Sequence, residues 1–233
     1  IDMVTTPDGS LVAMVHCNNC TSDLNAWVNL FKEYQELLGV PVDMNEVYGK
    51  LYNHALTGNA DCGGLISYNY ISGEPVTGLA EGRPLFVRSA NDKFNLANFM
   101  RAHLYASVGV LKIGNDILFN DEKIRVDRIT GHGGLFKTKG VGQRVLAAAI
   151  NSPISVMETA GEGGAWGIAL LGSYLVNNER NQNLADFLDD VVFAGDAGIE
   201  IKPTAEEVAG FNVYIENYKL GLGIEEAAVK CKK

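Results

Sequence analysis

Two residue patterns in this chain could do chemistry. The first is a pair of glycine loops, Gly131-His132-Gly133-Gly134 and Gly161-Glu162-Gly163-Gly164. A strand that ends in glycines and hands over to a helix presents unpaired backbone N–H groups beside a partial positive charge, and the missing side chains let a ligand approach the main chain. That suits a nucleotide. Neither loop is a Gly-x-x-x-x-Gly-Lys-Ser/Thr phosphate loop or a Gly-x-Gly-x-x-Gly dinucleotide fingerprint, so glycines that only permit tight turns and close helix packing are the structural alternative. The second pattern is Cys17-x-x-Cys20, which is a redox pair, half of a zinc site, or coincidence. A closed zinc site needs four ligands, and beyond His16 no second Cys-x-x-Cys or His-x-His pair supplies them. A thioredoxin-like motif should open a helix after a strand, a frame missing here. All four cysteines, with Cys62 and Cys231, are therefore expected to be reduced and metal-free. Asn19-Cys20-Thr21 is formally a glycosylation sequon, but nothing else points to secretion.

The elements that must position these residues follow from apolar spacing. Leu24, Trp27, Val28, Phe31, Tyr34, Leu37 and Leu38 predict a helix that Asp23 could cap and Gly39 and Pro41 end. A second helix is expected from Met44 to Ala55, with His54 on or near its apolar face, packed or surface-lying. Pro7-Asp8-Gly9 before Leu11 to Val15 reads as a hairpin turn. The first residues look like the inside of a larger protein. A buried strand is expected within Gly63 to Ile71, a long helix after Asp92, and two short strands at Ile113 to Phe119 and Glu122 to Ile129. Then come a strand from Ile124 to Ile129, the first glycine loop, a helix from Lys139 to Asn151 with Val145, Ala148 and Ala149 inward, a strand from Ile154 to Met157, and the second loop opening a helix. This is the order of an α/β nucleotide-binding sheet. Further helices are expected at Leu184 to Ala194 and from about Thr204.

Composition narrows the function classes. The 233 residues carry 19 Lys+Arg against 28 Asp+Glu, a net charge of -9, and are 47% hydrophobic. Such a chain can bury a real core but has no basic stripe to displace counterions from nucleic acid. Its apolar runs are broken before the roughly 20 residues a membrane helix needs. The expectation is a soluble cytoplasmic protein with neither nucleic acid nor membrane as partner.

The order of several motifs resembles the FGGY carbohydrate kinases. Gly133-Gly134 with Lys137, Thr138 and Gln143, then Glu158-Thr159-Ala160 and Ala165 to Gly172, is similar to that family's adenosine region. Upstream, Gly64-Leu65 through Tyr70-Ile71-Ser72-Gly73-Glu74 looks like its Gly-Leu-x4-Tyr-Leu-Ser-Gly-Glu-Arg segment, with Pro75 in place of Arg. Arg101-Ala102-His103-Leu104 matches its Arg-Ala-x-Leu helix, Tyr105 replaces the usual Glu, and Thr138 stands where members carry Asn or Ser. The resemblance covers roughly Leu24 to Tyr174.

What this resemblance implies is an α/β, actin-like (ribonuclease H-like) ATPase domain, with a mixed sheet flanked by helices on both faces. It would span residues 1–182, cut short at its N-terminus, with a helical extension at 183–233 packed on it. Gly133, Gly134, Leu135, Lys137 and Thr138 would lie along the adenosine of ATP, with Mg2+ in the complete enzyme. Gly134 is expected to need an open φ/ψ or close contact. The family's first phosphate loop, sugar contacts and catalytic base would precede Ile1, so no catalytic or metal-binding residue is assigned here. The implied partners are a sugar or polyol, a ketopentose in the first instance, and an N-terminal kinase domain, with a homodimer among the arrangements open to it. The implied activity is γ-phosphate transfer from ATP to a sugar hydroxyl, with the isolated chain inactive because one wall of a cleft cannot position donor, acceptor, metal and base together. The competing readings are a non-catalytic actin-fold regulatory or interaction module and a Cys17/Cys20 redox or metal protein.

Overall fold

The computed structural model describes residues 1–157, 163–177, 181–194 and 198–231. Strands β1 (Asp2–Thr5) and β2 (Leu11–Met14) form the expected hairpin, in the register Asp2↔Met14 and Thr5↔Leu11. Helix α1 (Ser22–Leu37) buries Leu24 and Val28. Asp23 does not cap it: Thr21 is the N-cap residue, and Asp23 turns inward to His103 of the central helix at 3.5 Å. Helix α2 (Met44–Ala55) has the predicted bounds, because the Asp43 carboxylate accepts from the Asn45 N–H at 2.8 Å and satisfies a first-turn donor. His54 is exposed.

Strands β3 (Ile66–Tyr68) and β4 (Leu85–Val87) pair antiparallel beneath α3 (Leu96–Asp116), which Asn95 caps. Every residue of α3 from Ala97 to Val110 is buried. A helix buried around its whole circumference, with Asn98, Arg101 and His103 buried beside its apolar residues, belongs in the middle of the molecule, and α1, α2, β3 and two later helices pack around it.

Beyond α3 the sequence expectation needs correcting. Ile113 to Phe119 is not a strand, because α3 runs through Asp116 and ends in a wide turn, Ile117–Asp121, closed by Glu122 N–H donating to the Ile117 carbonyl at 2.9 Å. Propagating an existing helix costs less than starting a strand. Glu122 to Ile129 alternates, but Ile124 and Val126 are exposed and among the described residues no strand pairs with them. Only β5 (Ile129–Thr130) pairs, parallel to β6 (Ile154–Val156), and between them runs α4 (Val141–Ile150), shorter than predicted because Gly140 is its N-cap. Val145, Ala148 and Ala149 point inward as expected.

Helix α5 (Gly163–Asn177) follows the second glycine loop, α6 (Leu184–Phe187) continues into the turn Leu188–Val192, and β7 (Ile199–Ile201) adds antiparallel to β6. Sequence reading missed β7, a three-residue strand too short to show an apolar period, although Gly195, Asp196 and Gly198 precede it as turn residues. The resulting mixed sheet β5-β6-β7 packs on α4, which in turn meets α7 (Ala205–Leu220), where Thr204 and Glu207 form a reciprocal capping box. Among the described residues no helix is long and apolar enough to cross a membrane.

The last helix, α8 (Leu222–Cys231), is latched by Glu225, which is fully buried and accepts the Arg83 N–H. Burial pushes its carboxyl above the ordinary 4.5, and the Arg83 N–H and charge only partly offset that. A carboxyl raised on folding contributes stability below its unfolded value and loses it as pH rises through the folded one. Glu225→Gln is therefore expected to melt with the wild type near pH 4 and above it at pH 7. A lower melting point at pH 7 would mean that the charged bond to Arg83 outweighs the burial.

Candidate functional site

The first glycine loop is built by its neighbours. Gly131 N–H donates to the Ser155 carbonyl at 2.8 Å, extending the β5–β6 ladder by one bond. The chain then reverses at Gly133, whose φ of 106° is open to glycine at little cost. A tight turn over Gly134–Phe136 follows, with Phe136 N–H on the Gly133 carbonyl at 3.0 Å. The loop lies directly on α4 because Gly142 has no side chain; a Cβ there would sit 2.6 Å from the Leu135 carbonyl oxygen. Gln143 is not a ligand-facing residue. Its buried amide donates to the Ile154 and Ile199 carbonyls, at 3.1 and 2.7 Å, and ties α4 to both β6 and β7.

This loop forms one wall of a cleft of about 580 Å³, a size suited to a nucleoside. Gly134, Leu135, Lys137 and Thr138 line it, so four of the five residues selected from sequence converge on one space. Gly133 is not on the wall and supplies the turn instead. The expected strain at Gly134 also belongs to Gly133: Gly134 has no positive φ, and a Cβ built on it meets nothing within 4 Å. Lys137 and Lys139 put two cations at the cleft of a chain with net charge -9, which favours a polyanionic ligand there.

The opposite walls were not read from sequence. Thr21 and Asn25 come from the start of α1. Asn45, Tyr48, Gly49 and Tyr52 come from α2, and their spacing of three, four and seven residues is one helical face. That spacing was visible, but Tyr48 and Tyr52 were indistinguishable from core positions until the loop was seen beside them. The Tyr48 hydroxyl donates to Asn25 Oδ1 at 3.0 Å and joins the two helices at the cleft. The second loop's Glu158-Thr159-Ala160 and Gly161-Glu162 lie outside the described residues. Its remainder adjoins the first loop, since a Cβ on Gly163 would lie 3.2 Å from His132.

Two other constellations are structural. Ser67 Oγ and Asp23 Oδ2 both approach Nδ1 of buried His103, at 3.0 and 3.5 Å, while its Nε2 has no partner among Trp27, Phe86 and Phe99. A nucleophilic triad needs the nucleophile and the orienting carboxylate on opposite nitrogens of the histidine ring. At the Cys-x-x-Cys, burial first, then the neighbouring Cys20 and Glu74, push the Cys17 thiol up to about 12, and the Cys20 thiol is raised as well. A redox or ligating pair wants the opposite shift. Among the described residues no group of three or more His, Cys, Asp or Glu could hold a metal ion.

The chain is similar in fold to several solved kinases. The chain superposes on the xylulose kinase of Rhodospirillum rubrum with a TM-score of 0.59, at 18% identity over 88% of this chain and 38% of that one. For the gluconate kinase of Lactobacillus acidophilus the values are 0.57, 19%, 75% and 34%. For Plasmodium falciparum glycerol kinase, solved with ADP, they are 0.56, 17%, 85% and 37%. The fold is thus one that these kinases share, and the chain spans little more than a third of their length. None of the curated proteins matches in sequence. The model of the FGGY family of carbohydrate kinases, C-terminal domain, matches residues 1–176, and the chain belongs to that family.

Proposed function

We propose that this chain is the nucleotide-binding side of an ATP-dependent carbohydrate kinase, with the adenosine of ATP in the cleft at Gly134, Leu135, Lys137 and Thr138. The observation that carries the reading is the convergence of those four residues on one cleft with a bare backbone at Gly134. The complete enzyme would transfer the γ-phosphate to a hydroxyl of a sugar or polyol, with a ketopentose as the first candidate, in the cytoplasm.

ATP fits the donor set, since open backbone beside two lysines offers approach to a flat base and charge for phosphate. Mg2+ would arrive on the phosphates, the usual mode for a cation that dehydrates reluctantly. Among the described residues no carboxylate lines this cleft, and in this reading the chain binds and orients the donor while the proton of the attacking hydroxyl is taken by another domain. An apolar groove of about 850 Å³ between the β1–β2 hairpin and the turn after α3, lined by Ile1, Met3, Leu11, Phe119 and Ile124, offers surface that a companion domain would cover.

A coupled ADP-release assay over pentuloses and polyols tests this. The chain alone is expected to be silent, and activity is expected on joining it to an N-terminal kinase domain. Calorimetry should find ADP bound between micromolar and millimolar, about -8 to -4 kcal/mol. Turnover by the isolated chain would refute the division of labour. ADP binding with no activity in any joined form would favour a non-catalytic module.

A further inference from the structure

Gly49 occupies the interior of α2, six residues from its start, and nothing in the fold asks for a glycine there. Its backbone is not in the left-handed region, and a Cβ built on it meets nothing within 4 Å. Glycine inside a helix is destabilising relative to alanine. A position that carries this cost without a conformational or packing need is accounted for by what its missing side chain leaves open. What it leaves open is the cleft that Gly134 lines from another element, again with unobstructed space above its Cα.

The side chains of Tyr48 and Tyr52 line the same space and are fixed at its edge. Tyr48 donates to Asn25 at 3.0 Å, and its ring stands edge-on to Tyr52, with centroids 5.5 Å apart at 86°. The α2 wall is therefore two aromatic rings in edge-to-face contact with bare backbone beside them. Deepening the adenosine reading proposed above, on which it rests, we infer that Gly49 is the aperture through which α2 receives the purine ring. It is a specificity-determining position, where a flat base slides against main chain and any side chain narrows the slot.

The geometry makes stability and binding move in opposite directions on substitution, which neither a packing glycine nor a neutral one would do. Gly49→Ala is expected to raise Tm by about 1–4 °C while weakening ADP at least threefold. Gly49→Leu should weaken ADP and phosphate-free adenosine alike, by thirtyfold or more. Adenosine is the decisive probe because it reports the base end alone. A raised Tm with unchanged affinity for both ligands would overturn the inference, as would a lowered Tm in Gly49→Ala, which would make the residue a packing glycine. ADP binding that survives Gly49→Leu overturns only this inference; a wild-type chain that takes up no ADP overturns the adenosine reading with it. Should Gly49→Leu fail to fold, the alanine variant decides the matter.

Discussion

Gly134→Val is expected to abolish measurable ADP binding, a loss of thirtyfold or more and hence at least about 2 kcal/mol, while leaving Tm within about a degree of the wild type. The reasoning turns on a separation that two adjacent glycines provide. Gly133 holds φ at 106° and makes the turn, so a side chain there costs roughly 1–2 kcal/mol of strain. Gly134 has an ordinary φ, is exposed, and has open space where a side chain would go. An exposed, unstrained substitution alters stability by only about 0.5 kcal/mol. The added methyls must then occupy the cleft. Calorimetry and a melting curve on the same preparation check both halves, and wild-type affinity in Gly134→Val would move the adenosine away from this loop. Gly133→Val should show the reverse emphasis, a lowered Tm with binding lost only as far as the loop is displaced.

Glu74→Ala is expected to lower Tm by about 6–12 °C, equivalent to roughly 3 kcal/mol for a chain of this size. Glu74 is 1% exposed, with no cation at hydrogen-bond distance among its described partners. Its carboxylate accepts from the Asn18 N–H at 3.0 Å, the Asn19 N–H at 3.0 Å and the Asn19 side-chain amide at 2.8 Å. Bonds to an ionised acceptor are about twice as strong as neutral ones, and removing the acceptor leaves buried donors without partners. Glu74→Gln keeps one accepting oxygen and should lose less than half as much. The loop so held leads into Thr21 and Asn25, so Glu74→Ala should also weaken ADP severalfold, although Glu74 does not line the cleft. Equal melting of the alanine and glutamine variants would show that the site is held by packing and not by the carboxylate.

Several parts of this architecture were legible in the residues alone. The bounds of α2 follow from its apolar period, the hairpin from Pro7-Asp8-Gly9, and α3 from the helical spacing of Phe99, Met100, Leu104 and Val108. Local rules suffice there because caps, turns and helical periods act within a few residues. The glycine loop was legible too, together with the family to which its order of motifs points.

Strands were read least well. Whether Ile124 and Val126 or Ile199 and Ile201 form a ladder depends on which segment, tens of residues away, presents an unpaired edge. Ile199–Ile201 found β6, and Ile124 to Val126 found nothing. The cleft divides in the same way. Its near wall is one continuous loop, where the resemblance to the FGGY kinases pointed to Gly134, Leu135, Lys137 and Thr138. Its far wall is the face of a helix about ninety residues earlier, where Tyr48 and Tyr52 look like core and Gly49 like a weak helix residue. Only packing α1, α2 and the loop around α3 brings those side chains to one space, because proximity between distant segments is set by long-range burial and not by any local preference of the chain.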